Sequence, residues 1–213
     1  MIKNDELIKH EVDEIFEAFS KKLLDINNYK VFTCSSTKRS LDFYQEQKNL
    51  IVKSELESDK IDFNSLIYQK IENGEHTHLG VNENSHDDLI KTVNLHNNKQ
   101  NQWLLVEAYE AYEDYIEDLY AYLGYKKHIF WAAKDFGNIS IDELDNKDFN
   151  WFKERVKDKQ GEPESLHKQF RKKMPTLNFL EEKNALNSNY KFLIKLISQL
   201  RHVIVHNRGV IRD

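Results

Sequence analysis

The chain has 213 residues, of which 39% are hydrophobic and 31% are charged, a balance typical of a surface-rich helical protein. Its 6 Gly and 2 Pro provide few turn signals for strands, and no glycine-rich phosphate loop occurs. No apolar run reaches the roughly 18 to 20 residues that span a bilayer, so we expect no association with a membrane. The single cysteine, Cys34, excludes an internal disulfide framework and, with a charged N-terminus, favours a cytoplasmic location.

The formal net charge of -5 is unevenly distributed. Residues 151–213 hold 14 Lys and Arg against 7 Asp and Glu, whereas residues 1–150 hold 17 against 29. A basic segment on an acidic chain suggests a polyanionic partner near the C-terminus. An ordinary solvated helix surface, such as the alternating charges of "FKERVKDK", is the alternative, and composition alone favours it.

Helical periodicity begins near the N-terminus. Apolar residues recur at helical spacing over 5–25, which predicts one amphipathic helix that "INNYKVFTCSST" breaks. Residues 37–70 suggest one or two further helices. Residues 72–100 are rich in Asn, His and Gly and lack periodicity, so we expect a long loop with a short helical piece near Asp87–Val93.

The clearest helical pattern covers about 101–123. Apolar side chains stack on one face of this segment, and Gly124 is expected to end the helix. Farther along the chain, Ser140 and Glu143 have the spacing of a capping box, which predicts that a helix begins there.

The last helix is predicted to start at Asn187 or Ser188 and to run to about His206. Gly209 is placed to form its C-terminal cap in the left-handed conformation.

These elements predict an all-α fold. We expect the two long helices, 101–123 and 188–206, to pack antiparallel at its centre, with additional helices at the periphery. Neither an internal repeat nor a linker is evident, so residues 1–213 are predicted to form a single domain.

Arg201 lies on the apolar side of the final helix. Because arginine cannot lose its charge to suit burial, it needs a partner. It can reach the surface along its aliphatic stem, form a structural ion pair with a facing helix, or bind an anionic ligand such as phosphate. The polar stripe of the same helix holds Lys191, Lys195, Ser198, His202 and His206.

His202 and His206 are four residues apart and share one face near the helix C-terminus, where the macrodipole favours the imidazolium form. A histidine that titrates near neutral pH can act as an acid or a base. Arg201 and His206 lie about 140° apart around the axis, so one helix cannot easily direct both at the same atom. Two copies that cross at a two-fold axis can, because each helix then presents a different side to a shared cleft.

The segment "RHVIVHNRG" resembles the R-x4-H motif of HEPN domains (higher eukaryotes and prokaryotes nucleotide-binding), in which Asn and Gly often follow the histidine. The segment "EAYEAYEDYIEDLYAYL" is similar to the first core helix of that family. The resemblance covers roughly 101–123 and 188–209 and implies a HEPN-like helical bundle. It often implies a dimer in which the two motifs meet at the subunit interface.

The resemblance also implies a function. Active HEPN proteins cleave RNA without a metal, and many are toxins or phage-defence effectors, whereas other members are inactive binding or assembly modules. We therefore expect a homodimeric ribonuclease that acts on RNA, needs no cofactor and is controlled by an antitoxin or other regulatory partner. A plain helical scaffold, with Arg201 in a structural ion pair, is a further alternative.

Carried over by position, the motif makes Arg201 and His206 the catalytic pair, with His202 at the polar position after the arginine and Asn207 in support. The 2′-hydroxyl of RNA is the internal nucleophile, so DNA is refused. His206 can serve as base or acid while Arg201 stabilises the phosphorane, and His202 can orient His206 or bind phosphate. Weaker candidates for contacts with the RNA backbone are Lys191, Lys195 and Arg208.

Glu113 lies at the margin of the apolar face of helix 101–123. If the two long helices pack antiparallel, it can pair with Arg201 and hold it in position; the alternative is an ordinary surface glutamate. His202 and His206 have the spacing of a helical zinc pair, but no glutamate lies between them, and we expect no metal there. Four histidines of the expected loop are interpreted as polar loop residues: His76, His78, His86 and His96.

Overall fold

The computed structural model describes residues 2–54, 60–137, 139–157 and 163–207. Within these residues the fold is all-α, as predicted, with one added pair of strands. None of the described helices is both long and apolar enough to cross a membrane. The helices are α1 (Ile2–Lys53), α2 (His86–Lys126), α3 (Ile141–Leu144), α4 (Phe149–Lys157), α5 (Pro163–Lys173), α6 (Pro175–Leu180) and α7 (Tyr190–Asn207), with two short 3-10 helices at His128–Phe130 and Ala133–Asp135; the strands are β1 (Lys60–Gln69) and β2 (His76–Ser85).

The chain divides into two compact units, a larger one of residues 1–27 and 103–213 and a smaller one of residues 28–102. The sequence pattern predicts a single domain over 1–213 and contains no sign of this division. The reason is that α1 and α2 each continue through a boundary, so no linker marks it.

The smaller unit contains a β-hairpin where the sequence predicts helices over 37–70 and a loop over 72–100. β1 and β2 pair antiparallel, from Gln69 opposite His76 at the turn to Lys60 opposite Ser85. Helix α2 begins at His86 and includes the helical piece predicted near Asp87–Val93, whereas the helix predicted across β1 and the long loop predicted over 72–100 are wrong. The β1 sequence "KIDFNSLIYQ" has apolar Ile61 and Phe63 between polar residues, which is the alternation of a strand, but the signal is short and lies inside the segment that is predicted to be helical.

Helix α1 continues through "INNYKVFTCSST", and the predicted break is wrong. The hydroxyl groups of this stretch donate hydrogen bonds to carbonyl groups of the preceding turn. Thr33 Oγ1 lies 3.0 Å from the Lys30 carbonyl oxygen, and Ser35 Oγ lies 2.9 Å from that of Val31. Such bonds satisfy the hydroxyl groups within the helix, so these residues do not cap it.

The core of the larger unit surrounds the C-terminal part of α2. Tyr120 and Phe152 are completely buried there, and the Trp131 ring stacks on Tyr120 with 5.2 Å between ring centroids. Gly124 lies inside α2, and a Cβ at this position would lie 2.0 Å from the Trp131 indole nitrogen. The prediction that Gly124 ends the helix is therefore wrong, because the glycine makes room for the indole ring rather than for a turn.

The capping box is confirmed. Ser140 Oγ accepts a hydrogen bond from the Glu143 N–H at 3.4 Å, and Glu143 Oε2 accepts one from the Ser140 N–H at 3.1 Å. Helix α3 begins directly after Ser140.

Helix α7 begins slightly later than predicted. Asn189 Oδ1 accepts the N–H of Phe192 at 2.9 Å and so caps the helix in place of Asn187 or Ser188. Gly209, the predicted C-terminal cap, lies outside the described residues.

The two long helices run antiparallel, as predicted. The start of α7, at Tyr190 and Ile194, lines a cavity with Leu119 of α2. Closer to the end of α7, Arg201 contacts Glu110, which lies earlier in α2. This direction places the end of α7 beside the first half of the α2 segment that belongs to the larger unit.

Candidate functional site

Arg201 is half-buried against α2. One guanidinium nitrogen, Nη2, lies 3.5 Å from Glu110 Oε1, and the arginine side chain is 32% exposed against 52% for the glutamate. The buried Nε has no hydrogen-bond partner in the described part of the chain. A long contact with an exposed carboxylate contributes little, so packing of the side chain, more than ion pairing, holds Arg201 in place.

Arg201 borders an open cavity of about 800 Å³ formed by α1, α2 and α7. Six carboxylates line it against two permanent cations, Arg201 and Lys22, and Lys22 is itself paired with Asp114 at 2.7 Å. The lining as a whole is therefore acidic. The carboxylates are Asp25 of α1 and Glu107, Glu110, Glu113, Asp114 and Glu117 of α2.

Glu113 shares this cavity with Arg201, but the ion-pair contact of Arg201 is with Glu110. Burial raises the pKa of the Glu113 carboxyl; the Arg201 charge opposes this rise, and Glu110 and Asp114 add to it. The attraction between Glu113 and Arg201 is thus present, although the predicted direct pair is replaced by one with the more exposed Glu110.

Glu117, a second acid of the cavity, has a raised pKa for the same reasons as Glu113. Burial raises the pKa of Glu117, and the neighbouring charges of Asp114 and Glu113 raise it further. The α2 wall therefore holds two carboxyl groups whose ionisation is resisted by their surroundings.

Tyr109 of α2 and Ser198 of α7 line the cavity together with Arg201. Tyr109 is only 5% exposed. Burial raises the pKa of the Tyr109 hydroxyl, and the nearby Ser198 and the charge of Arg201 partly oppose the rise.

The two predicted histidines are adjacent and exposed. The rings of His202 and His206 lie 4.6 Å apart between centroids and are tilted by 47°. His202 lines the cavity with Arg201, whereas His206 is not part of its lining. Within one chain, therefore, the structure brings Arg201 and His202 together and leaves His206 on the outer side of the helix. No group of three or more His, Cys, Asp or Glu among the described residues is placed to hold a metal ion.

The weaker candidates for RNA contacts differ in availability. Lys191 is engaged, with its Nζ 2.7 Å from Glu182 Oε1. Lys195 is exposed and forms no ion pair in the described part of the chain. Asn207 is the last residue of α7, but its side chain is outside the described set, as is the whole of Arg208.

The side of α7 that points away from Arg201 carries three apolar residues, of which two are exposed and Val203 is half-buried, together with the exposed Gln199. We call Phe192, Leu196 and Val203 the outer stripe, since their spacing places them on one face of the helix. Phe192 is 61% exposed and Leu196 is 36% exposed. His206 lies between this stripe and the cavity side of α7.

Sequence reasoning missed several residues of this cavity. Glu110 and Glu117 recur at helical spacing with the predicted Glu113 on one side of α2, so this acidic wall was detectable as a pattern. Lys22 and Asp25 carried no such signal, because their place in the cavity depends on how α1 packs.

The fold and the cavity together define an all-α protein with a half-buried arginine beside an acidic cleft. Comparisons with protein-family models, with curated proteins and with solved structures found no match to this chain. The relation to HEPN domains accordingly rests on the motif and the helix pattern.

Replacing Glu113 with Gln is expected to raise the melting temperature at neutral pH. The pKa of this carboxyl is raised above its ordinary value of 4.5, so the folded state favours the protonated form. Its stabilising contribution is complete below 4.5 and is lost as the pH rises through the folded-state pKa, whereas Gln imitates the protonated form throughout. Thermal denaturation at a series of pH values measures the difference, which should disappear below 4.5.

The matched control is Glu107→Gln, which changes an exposed carboxylate of the same cavity and should leave the melting temperature unchanged. A lower melting temperature for Glu113→Gln at neutral pH would show instead that attraction to Arg201 outweighs the cost of burial.

Proposed function

We propose that the protein is a metal-independent endoribonuclease of the HEPN type, whose R-x4-H site is shared between two copies of the chain. The observation that carries the proposal is the state of Arg201. It is held at the edge of an open cavity beside two exposed histidines. Within the described ranges its buried Nε has no partner, and its ion-pair contact is the one of 3.5 Å with Glu110. A guanidinium that is held in place but is not engaged in a strong ion pair can bind a phosphate.

The chemistry follows from these groups. The 2′-hydroxyl of RNA attacks the adjacent phosphorus, one histidine removes its proton, and another donates a proton to the departing 5′-oxygen. Arg201 stabilises the negative charge on the phosphorane oxygens. For this, its guanidinium exchanges the contact with Glu110 for a contact with the phosphate. Each of the two sites of the dimer combines Arg201 of one copy with His206 of the other. His206 makes one of the two proton transfers, and His202 of the same copy, with 4.6 Å between the ring centroids, makes the other.

Two copies are needed because Arg201 and His206 diverge within one chain. The outer stripe offers a surface for the second copy, since a two-fold axis would pair Phe192 and Leu196 with their equivalents. His206 borders this stripe, so pairing there would bring the histidine of one copy towards the other copy.

The acidic cavity favours a second candidate, a HEPN-like binding or assembly module without catalysis. Six carboxylates repel a phosphate backbone, and Glu110 already occupies one end of the guanidinium. In this alternative, Arg201 serves the packing of α7 on α2.

Incubation of the purified protein with labelled RNA in the presence of EDTA separates the two. A ribonuclease of the proposed type cuts RNA under these conditions, leaves 2′,3′-cyclic phosphate ends and spares an oligonucleotide that lacks the 2′-hydroxyl. Absence of cleavage by a folded dimer would favour the binding module. Cleavage that EDTA abolishes would contradict the metal-independent chemistry.

The cellular role is proposed from the resemblance alone. A toxin or antiviral effector should arrest growth when the chain is expressed, and co-expression of an antitoxin or regulatory partner should relieve the arrest. A growth defect that persists in a cleavage-deficient variant would argue against RNA cleavage as its cause.

A further inference from the structure

A second cavity, of about 520 Å³, lies on a different part of the larger unit. It is enclosed by α2, α5, α6 and the start of α7, and it shares no lining residue with the Arg201 cavity. Its walls are predominantly apolar, and its volume falls in the range of small-molecule sites. The apolar lining includes Ile116, Leu119, Phe170, Leu177 and Ile194.

Several polar side chains of this lining already have partners within the protein. Tyr112 and His167 are hydrogen-bonded to each other, with 2.9 Å between the hydroxyl oxygen and Nε2. Glu181 receives two hydrogen bonds from Arg171, at 2.6 and 3.1 Å. The Asn184 carboxamide donates to two main-chain carbonyl groups. Because these groups have partners within the protein, the interior of the cavity favours the apolar part of a ligand.

The mouth of the cavity has the opposite character. Met174, Leu177 and Leu180 line the cavity and are 43%, 36% and 49% exposed, so the apolar lining reaches the surface along α6. Lys172 and Lys173 directly precede Met174 in the chain and are exposed.

Lys172 and Lys173 form no ion pair in the part of the chain that the structure describes. Lys183 directly precedes Asn184, and its Nζ lies 5.8 Å from the centre of the Phe179 ring. Two acids nearby are paired with other cations, Glu181 with Arg171 and Glu182 with Lys191. Lys173 and Lys183, each next in sequence to a lining residue, can therefore meet a negative group at the edge of the cavity.

We propose that this cavity binds a free single-chain amphiphile with an anionic head group, such as a long-chain carboxylate. The alkyl chain occupies the apolar interior, and the head group lies outside it against the lysines that flank Met174 and Asn184. The charge distribution matches such a ligand at both ends, whereas a neutral apolar molecule leaves the lysines unmatched. The site is independent of the proposed ribonuclease activity.

The geometry favours a small molecule over a lipid surface. A surface-binding protein presents a broad exposed apolar face to the headgroup region of a bilayer, whereas this site is concave and bounded by four helices. Exposed apolar residues at the mouth allow a single chain to enter without opening the fold.

Isothermal titration with laurate, below the concentration at which it aggregates, tests the proposal. We expect binding of one laurate per chain, with weaker binding of dodecanol, which has a chain of the same length without the charge. Leu177→Asp is expected to weaken laurate binding by about tenfold or more, because it places a carboxylate against the alkyl chain. The control is Leu186→Asp, which changes a 72% exposed leucine outside the lining and should bind as the wild type does.

The head-group contact is tested by the double reversal Lys172→Glu/Lys173→Glu, expected to weaken laurate binding severalfold and to abolish the preference over dodecanol. Lys127→Glu/Lys134→Glu reverses two exposed lysines elsewhere and should have no effect. Circular dichroism confirms that each variant is folded. Equal laurate binding by the Leu177 and Leu186 variants would overturn the proposal. An unchanged preference for laurate over dodecanol in the Lys172/Lys173 variant would also overturn it. So would binding to anionic phospholipid vesicles without binding to laurate.

Discussion

His206→Ala is expected to slow RNA cleavage by about 10²–10⁴-fold, the range typically lost with a general acid or base. The side chain is exposed at the end of α7 and contacts the ring of His202, so its removal should hardly change the melting temperature. The rate of cleavage of a labelled oligonucleotide under single-turnover conditions measures the effect directly, because product release then does not contribute.

A matched control distinguishes loss of chemistry from loss of a surface histidine. His96→Ala removes another exposed helical histidine, from the smaller unit, and should cleave RNA at the wild-type rate. Equal rates for the two variants would mean that His206 is not a catalytic residue. The HEPN-type site would then have to be abandoned.

Arg201→Ala should lower the rate constant for cleavage by about 10²–10³-fold, comparable to the loss of a donor that stabilises developing charge in other enzymes. We expect the loss mainly in kcat, since the guanidinium is needed most when charge builds up on the phosphorane. Arg201→Lys should restore little of the activity, because an ammonium lacks the planar fork that binds two phosphate oxygens.

The stability of the Arg201 variants distinguishes a catalytic role of Arg201 from a structural role. Among the described residues its only direct ion pair is a 3.5 Å contact with a half-exposed glutamate, and its Nε has no partner there, so the alanine variant should remain folded. Lys195→Ala, which removes an exposed cation of the same helix, should reduce cleavage only slightly. An unfolded Arg201→Ala protein would identify the arginine as a structural residue.

The helical features that depend on local pattern were predictable from the sequence. The apolar periodicity of α7, the position of Arg201 on its packed side and the capping box at Ser140 all follow from spacing along one helix. The antiparallel arrangement of α2 and α7 followed from the location of their apolar faces. These features can be predicted because each depends on residues that are only a few positions apart in the sequence.

Features that depend on packing or on backbone pairing were not predictable. The β1–β2 hairpin pairs a segment interpreted as helix with one interpreted as loop, and the hydroxyl groups of α1 resemble cap residues although they bond within the helix. Gly124 is a residue type that often ends a helix, but here its lack of a side chain makes room for the Trp131 ring. In each case the residue type has two uses, and only its three-dimensional neighbours decide between them.

The same limit applies to the candidate site. The sequence identifies Arg201, His202 and His206, but not that Glu110 makes the ion-pair contact or that α1 completes an acidic cavity. Those facts depend on which turn of α2 faces Arg201. The carboxylates are the strongest argument for a silent binding module, and the unpartnered Nε is the strongest argument for a ligand.

Mixing the Arg201→Ala and His206→Ala proteins tests the shared site most directly. If each site takes Arg201 from one copy and His206 from the other, a mixed dimer contains one complete site, and random exchange should restore about a quarter of wild-type cleavage. Adding Phe192→Asp to both chains should prevent this recovery by placing charge on the outer stripe. Recovery of cleavage on mixing is the result that this account predicts, and a mixture as inactive as its two components, despite proven exchange of subunits, would contradict it.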